Sequence, residues 1–457
     1  MSVVAEAGAV TAATTSISVQ SGARLDRLPI SAFHKRIFWL IGAGMFFDGY
    51  DLYVGTSVLG ATLASKFSTL AQNAQFVSFT FFGMTVGALV AGFLGDAYGR
   101  RFTYQFNLLL FGIASLGAAV APSMEWLVAA RFLMGLGLGA EIVVGYSSLT
   151  EFVPPASRGK WLALMAMIVV SGLPATILLA SILIPLVGWR AMFVIAGVGA
   201  LIVWYLRKSL PESPRWLESK GRAGEAEALV AEIERECGGT SLPPVRAAAP
   251  VRSYAVTELF GPVLLPRLIL GSIVLIVINT LIFGFVTWLP TFFVQQGVTL
   301  TKSFAYTLIM SFAAPIGCAL GAFLADRLGR RMTIVGASVS TIVFGLIYPM
   351  LAEPVAFVAI GFCLLLSIYV LVALLYGVYT PELFPTEVRL RANGICNMLG
   401  RGATIVSPFI VVGLFKSYGV SGVTSLMVGL LAIQIAAVLA WGIEPAKRGL
   451  EELSPQD

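Results

Sequence analysis

Apolar runs of twenty or so residues recur along the entire chain, broken by short polar loops. They lie near 37–62, 75–95, 102–121, 126–150, 160–186, 189–207, 266–292, 303–325, 332–351, 355–380, 390–415 and 421–443. Each is long enough to cross a hydrocarbon core of about 30 Å as a helix. The pattern predicts an all-α membrane protein with twelve transmembrane helices. The longest polar stretch, 208–265, separates six runs from six. The expected organisation is an N-tail over 1–36, a six-helix bundle over 37–207, a central loop over 208–265, a second six-helix bundle over 266–443 and a C-tail over 444–457. Within the loop, the prolines of Leu210-Pro-Glu-Ser-Pro-Arg-Trp-Leu217 preclude a continuous helix. Arg222–Glu236 then places Ala226, Leu229, Val230 and Ile233 on one face of an amphipathic helix.

Composition agrees with this pattern. Of the 457 residues 58% are hydrophobic and 12% charged, against roughly a quarter charged in soluble domains. The first 36 residues hold no apolar core, so the first span is expected to act as the insertion signal. Cys318, Cys363 and Cys396 fall in spans and Cys237 in the central loop, which implies no disulfide framework. A net charge of +6 would suit a nucleic-acid partner, but 24 of the 30 Lys and Arg residues fall on one side of the predicted spans. Only Lys66, Arg190, Lys302 and Lys416 fall on the other. That asymmetry places both termini in the cytoplasm and makes the basic surplus a topology signal.

The two halves repeat. Asp96, Arg100 and Arg101 recur as Asp326, Arg330 and Arg331 at an offset of 230. Glu151 and Arg158 recur as Glu382 and Arg389 at an offset of 231. Internal duplication of this kind places a solute site near the midplane, between the halves. The motif charges sit at cytoplasmic helix ends, where interhelical ion pairs can lock an inner gate. Gly83/Gly87, Gly95/Gly99 and Gly135/Gly139 have the small-xxx-small spacing that lets helices approach closely.

Five ionisable residues fall inside spans: Asp48, Asp51, Arg131, Glu141 and Arg401. Each costs roughly 2.5–3.5 kcal/mol or more at the bilayer centre if left unpaired, so each must pair, change protonation state or face water. Asp48 and Asp51 are three apart, one helical turn on one face, and two such carboxylates raise each other's proton affinity. Arg131 is the natural partner of Asp51, and Glu141 is a relay acid or a partner to substrate. Arg401 stands alone in the second half, with Asn393 and Asn397 below it on the same face; a fixed cation facing a cavity can hold an anion. Tyr50, Trp288, Tyr376 and Asn279 are further candidates for the cavity wall.

The segments Gly92-Phe-Leu-Gly-Asp96-Ala-Tyr-Gly99-Arg100-Arg101 and Ala325-Asp326-Arg-Leu-Gly329-Arg330-Arg331 resemble the loop signature of the major facilitator superfamily. Arg131-Phe-Leu-Met-Gly135-Leu-Gly137-Leu-Gly139, Pro211-Glu-Ser-Pro-Arg-Trp216 and Pro381-Glu-Leu-Phe-Pro-Thr-Glu-Val-Arg389 resemble its branch of sugar porters, organic-ion carriers, synaptic-vesicle-type transporters and bacterial metabolite:proton symporters. The resemblance implies two pseudo-symmetric six-helix bundles. It implies a proton-coupling role for Asp51 paired with Arg131, as in sugar:proton symporters. Asp48-Gly-Tyr-Asp51 resembles aromatic-acid:proton symporters, in which both aspartates matter. Arg401-Gly-Ala-Thr-Ile-Val-Ser-Pro408 resembles organic-anion carriers with an anion-binding Arg at this point.

The expected function is proton-coupled symport of a small organic anion, of the nicotinate or hydroxybenzoate type, by alternating access. The expected setting is a bacterial inner membrane, with a monomeric chain, no nucleic-acid partner, no metal and no cofactor beyond the proton gradient. A sugar or polyol:proton symporter is the first alternative, although span five lacks the glutamine that sugar porters use and span seven offers only Asn279. An organic-cation carrier built on Asp48, Asp51 and Glu141 is another, and a non-transporting sensor a third. Enzymatic chemistry is not expected, since no metal-ligand cluster, nucleophile–His pair or phosphate loop occurs.

Overall fold

Long apolar segments that must satisfy every backbone group internally have helix as their solution in lipid, and every regular element among the described residues is helical. The structure, a computed structural model, describes residues 20–237, 259–351, 353–384 and 388–443, without the side chains at 92, 96, 155, 156, 326, 377, 389 and 390. The first half contains a short α1 (Ser21–Asp26) and six long helices: α2 (Ala32–Ala64), α3 (Leu70–Tyr98), α4 (Arg100–Ala119), α5 (Met124–Phe152), α6 (Pro155–Val187) and α7 (Arg190–Leu206). Two helices of the central loop follow, α8 (Pro214–Ser219) and α9 (Ala223–Glu236). The second half comprises α10 (Leu265–Gly284), α11 (Leu289–Gln295), α12 (Leu300–Ser311), α13 (Ala313–Leu328), α14 (Arg330–Ile347), α15 (Pro354–Leu374), α16 (Thr380–Glu382) and α17 (Arg389–Trp441).

Several predicted spans are broken rather than continuous. The seventh bends at Phe285 through a 3-10 turn between α10 and α11. The eighth is interrupted at Phe312. The tenth ends in a π-helical turn at Leu375–Tyr379. The last two spans form one long helix, α17, whose backbone breaks at Gly419 with φ 64°. Ten helical stretches among the described residues are long and apolar enough to cross a membrane. In α2, Asp48 and Asp51 sit mid-helix and lower its hydropathy, while α17 carries two spans.

Glycines set the packing of each half. A Cβ at Gly83, Gly87, Gly135 or Gly139 would strike backbone across the α3–α5 contact. In the second half, Gly317 and Gly321 meet Leu366 and Val370 across the equivalent α13–α15 contact. Gly99 and Gly329 join the second and third spans of their halves at φ 95° and 85°, a conformation that favours glycine.

The halves meet on the side away from the basic loops. There the Ser78 hydroxyl donates to the Ile405 carbonyl at 2.7 Å, Tyr369 donates to Tyr53 at 3.3 Å, and Phe81 packs on Phe283 with ring centroids 4.3 Å apart. At the basic face, the N-terminal segment and central loop form a cap on the first half. Arg24 bonds Glu227 at 2.5 Å and Glu234 at 2.8 Å, Arg27 bonds Glu234 at 2.6 Å, and Asp26 accepts from Arg158 and Arg215. The amphipathic helix forms as its sequence predicts, burying Ala226, Val230 and Ile233.

A bulky residue at a close crossing forces backbone apart, at a cost of typically about 1–3 kcal/mol. Gly139→Val is expected to lower the melting temperature in detergent by several degrees, whereas Gly224→Val, at a site open to solvent space, is expected to be neutral. The Glu234 carboxylate is held below its ordinary range, chiefly by the hydrogen bond from Arg24, with Arg27 adding to it. That contribution to stability is present above the ordinary carboxylate value and lost as pH falls through the lowered one. Amide exchange over residues 21–36, corrected for intrinsic rates, should therefore accelerate on acidification, and Glu234→Gln should produce the same acceleration at neutral pH.

Candidate functional site

The first half buries a cluster of charges. Asp48, Asp51, Arg131 and Glu141 are each no more than 2% exposed. Such burial is tolerable only when charges are compensated. Arg131 on α5 donates from Nη1 to Asp51 Oδ2 on α2 at 2.5 Å and from Nε to Thr80 Oγ1 on α3 at 3.1 Å. Its guanidinium also lies 4.7 Å from the Phe76 ring centroid. One side chain thus fastens three helices. Beside it a water-sized void of about 10 Å³ opens at the junction with Phe283 and Thr287 of the second half.

Glu141 has a partner that the chain pattern did not expose. Arg207, counted among the basic loop charges because it ends the sixth apolar run, is 1% exposed and forms an ion pair with Glu141. Its Nε and Nη2 donate to the carbonyls of Leu40 and Ile41 at 2.8 and 2.6 Å. Space for it exists because residue 44 is glycine; a Cβ there would collide with the guanidinium. Asp48 lies in the field of Glu141, Arg207 and Asp51, and its Oδ2 is buried without a hydrogen bond. The available signal for a second cation is the imbalance in the first half, where three span acids face Arg131 alone.

In the second half, Arg401 faces Tyr376 of the π-helical turn, and Tyr376 in turn lies beside Asn279 of α10. The Asn279 amide sits over Gly400, 2.8 Å from where a Cβ would be. The structure therefore gathers Arg401, Tyr376 and Asn279 from three separate spans. Among the described residues the Arg401 guanidinium has no ion-pair partner. Asn397 turns back on its own helix, donating to Asn393 at 2.9 and 3.1 Å.

Two other expected wall residues are packed against protein in this conformation. The Tyr50 hydroxyl donates to the Met192 carbonyl at 3.2 Å, inside the first half. Trp288 is fully buried in the closed junction, stacked on Phe292. Place in the chain does not fix the direction of a side chain on a helix.

The duplicated charges match in atomic detail. Arg100 Nε bonds Glu151 and Arg330 Nε bonds Glu382, each at 3.2 Å. Arg100 Nη1 donates to Gly95 O at 2.8 Å and Arg330 Nη1 to Ala325 O at 3.1 Å. Both ion pairs join helices of one half. Arg101 donates to the Lys208 carbonyl at 2.8 Å, Arg158 to Asp26 at 3.3 Å, and Arg331 to the Leu439 carbonyl. Glu212 accepts from the Arg100 and Arg101 amides at 2.9 and 3.2 Å, capping α4. The side chains of Asp96, Asp326 and Arg389 lie outside the described set.

The family model of the Major Facilitator Superfamily matches residues 41–408. The chain belongs to this superfamily of membrane transporters. Within it, the chain is 37% identical over 446 residues to the inner membrane metabolite transport protein YdjE of Escherichia coli, covering 95% of this chain and 98% of that one. It is 31% identical over 440 residues to the niacin transporter NiaP of Acinetobacter baylyi, covering 94% and 98%. A partially occluded inward-open structure of the xylose transporter XylE from E. coli superposes with a TM-score of 0.71 at 17% identity, over 91% of this chain and 99% of that chain. That likeness fixes the fold.

Removing one member of a buried ion pair typically costs about 3–5 kcal/mol, because the other charge is stranded. Arg207→Met is expected to destabilise the protein by that amount in detergent melts, and adding Glu141→Gln should recover most of the loss. A double variant no more stable than Arg207→Met alone would show that the pair is not what Arg207 contributes.

Proposed function

We propose that this transporter carries a small organic anion, an aromatic or heterocyclic monocarboxylate, together with protons across a bacterial inner membrane by alternating access. The observation that carries this reading is Arg401, a cation in a membrane helix with no ion-pair partner among the described residues, faced by Tyr376 and Asn279. A substrate carboxylate supplies the missing charge, and Arg binds carboxylates with a planar, two-pronged geometry. The niacin carried by the relative from A. baylyi is the vitamin nicotinic acid in name, which fits that chemistry. The acids of the first half are a poor cation site, since Asp51 and Glu141 are already paired. A sugar hydroxyl can accept a hydrogen bond from Arg401 but cannot neutralise its charge.

In this reading the basic face is cytoplasmic and the chain acts as a monomer driven by the proton gradient, without other cofactor. A proton on Asp51 weakens its bond to Arg131. Because Arg131 also holds Thr80, and α3 carries the Ser78 and Phe81 contacts to the second half, loosening that bond loosens the outer closure. Carboxylate binding neutralises Arg401 and lets the halves rock. The pairs Arg100–Glu151 and Arg330–Glu382, each inside one half, hold the cytoplasmic helix ends of that half together as it moves.

Arg401→Ala is expected to abolish saturable uptake of nicotinate in proteoliposomes, and unchanged affinity in that variant would exclude the anion clamp. Asp51→Asn should remove uphill accumulation driven by a pH gradient; retention of that accumulation would exclude Asp51 as a coupling group. Competition of labelled nicotinate by benzoate, xylose and choline separates the substrate classes, with inhibition expected from benzoate alone.

A further inference from the structure

The buried cluster of the first half contains three carboxylates, Asp48, Asp51 and Glu141, against two guanidinium groups, Arg131 and Arg207. Full ionisation leaves one negative charge away from water without compensation, an arrangement that neutralises by taking up a proton. Geometry identifies where the excess lies. Asp51 is held by Arg131, at the end of the cluster nearer the half junction. Glu141 is held by Arg207 through Oε1, while its Oε2 has no hydrogen bond. Asp48 has an unbonded Oδ2 and lies in the field of Glu141, Arg207 and Asp51. Against this stretch of α2, α6 presents Met165, Ile168 and Val169, which carry no charge.

We infer that the cluster holds one proton on Asp48, and that Arg207, by occupying Glu141, is the positioning residue that keeps the cluster at a single proton rather than two. The guanidinium of Arg207 lies 5.8 Å from the ring of Tyr104, whose hydroxyl donates to the Leu210 carbonyl at 3.4 Å, and Glu212 lies near that hydroxyl. These contacts lie inside one half, apart from Arg401. Arg207 is fixed by two main-chain carbonyls and by the absence of a side chain at Gly44. The role of this proton in symport rests on the proposed function; its presence in the cluster does not.

The test is infrared spectroscopy of the purified full-length protein in detergent, reading the carbonyl stretch of a protonated, buried carboxylic acid during a pH titration. The wild-type protein should show one such group at neutral pH. Asp48→Asn and Glu141→Gln should each abolish the signal, because the remaining acid then has Arg207 to itself, and Asp51→Asn should leave it. Arg207→Met should double the signal, and Arg207→Lys should return it to one group, an effect that a merely structural arginine would not produce. The inference is overturned if the wild type shows no protonated carboxyl, if the signal vanishes only in Asp51→Asn, or if Arg207→Met leaves it unchanged. Nicotinate uptake that ignores the pH gradient would remove the symport reading while the spectroscopic pattern stood, so the two fail separately.

Discussion

An ionised side chain held away from water needs a counter-charge, and much of the interior of this transporter is arranged around that demand. In the first half, Arg131 answers Asp51 and Arg207 answers Glu141. These bonds are also mechanical. Arg131 fastens α5 to α2 and α3, and Arg207 fastens the end of α7 to the backbone of α2 at Leu40 and Ile41. The charges that make the interior costly thus hold its helices together, and a change in protonation becomes a change in helix contacts.

The duplication is strict at the basic ends and absent at the centre. Gly99 and Gly329, Thr103 and Thr333, Arg100 and Arg330 repeat the same turn and the same hydrogen bonds. At the level of Asp51 and Arg131 the second half offers instead Asn279, Tyr376 and an Arg401 with no ion-pair partner among the described residues. In the proposed function, two similar frames holding dissimilar centres give one half the response to protons and the other the response to an anion, with rocking between them as the shared motion.

Most of the architecture was legible in the sequence because hydropathy over twenty residues is a strong signal and lipid permits few solutions. The breaks were not. Gly284 and Pro290 flank the bend at Phe285 and Pro315 follows the break at Phe312, residues that permit a kink without requiring one, and the π-helical turn at Leu375–Tyr379 has no such marker within it. The pairing of Asp51 with Arg131 was legible through a motif resemblance and is seen here as a direct bond. The partner of Glu141 was hidden, because Arg207 sits at the border of an apolar run and a polar loop, where a cation reads as a topology marker. For Tyr50 and Trp288, position along a helix gives depth, while its rotation decides what a ring touches.

Gly44 shows how far such an arrangement reaches into inheritance. It carries no charge, binds nothing and would pass as a tolerant position in an apolar helix. Yet the space it leaves is the berth of the Arg207 guanidinium. A single added methyl group there would meet a charged group, and the guanidinium would have to shift against its bonds to Glu141 and the Leu40 and Ile41 carbonyls. Natural variation at this position should accordingly be read as variation in charge.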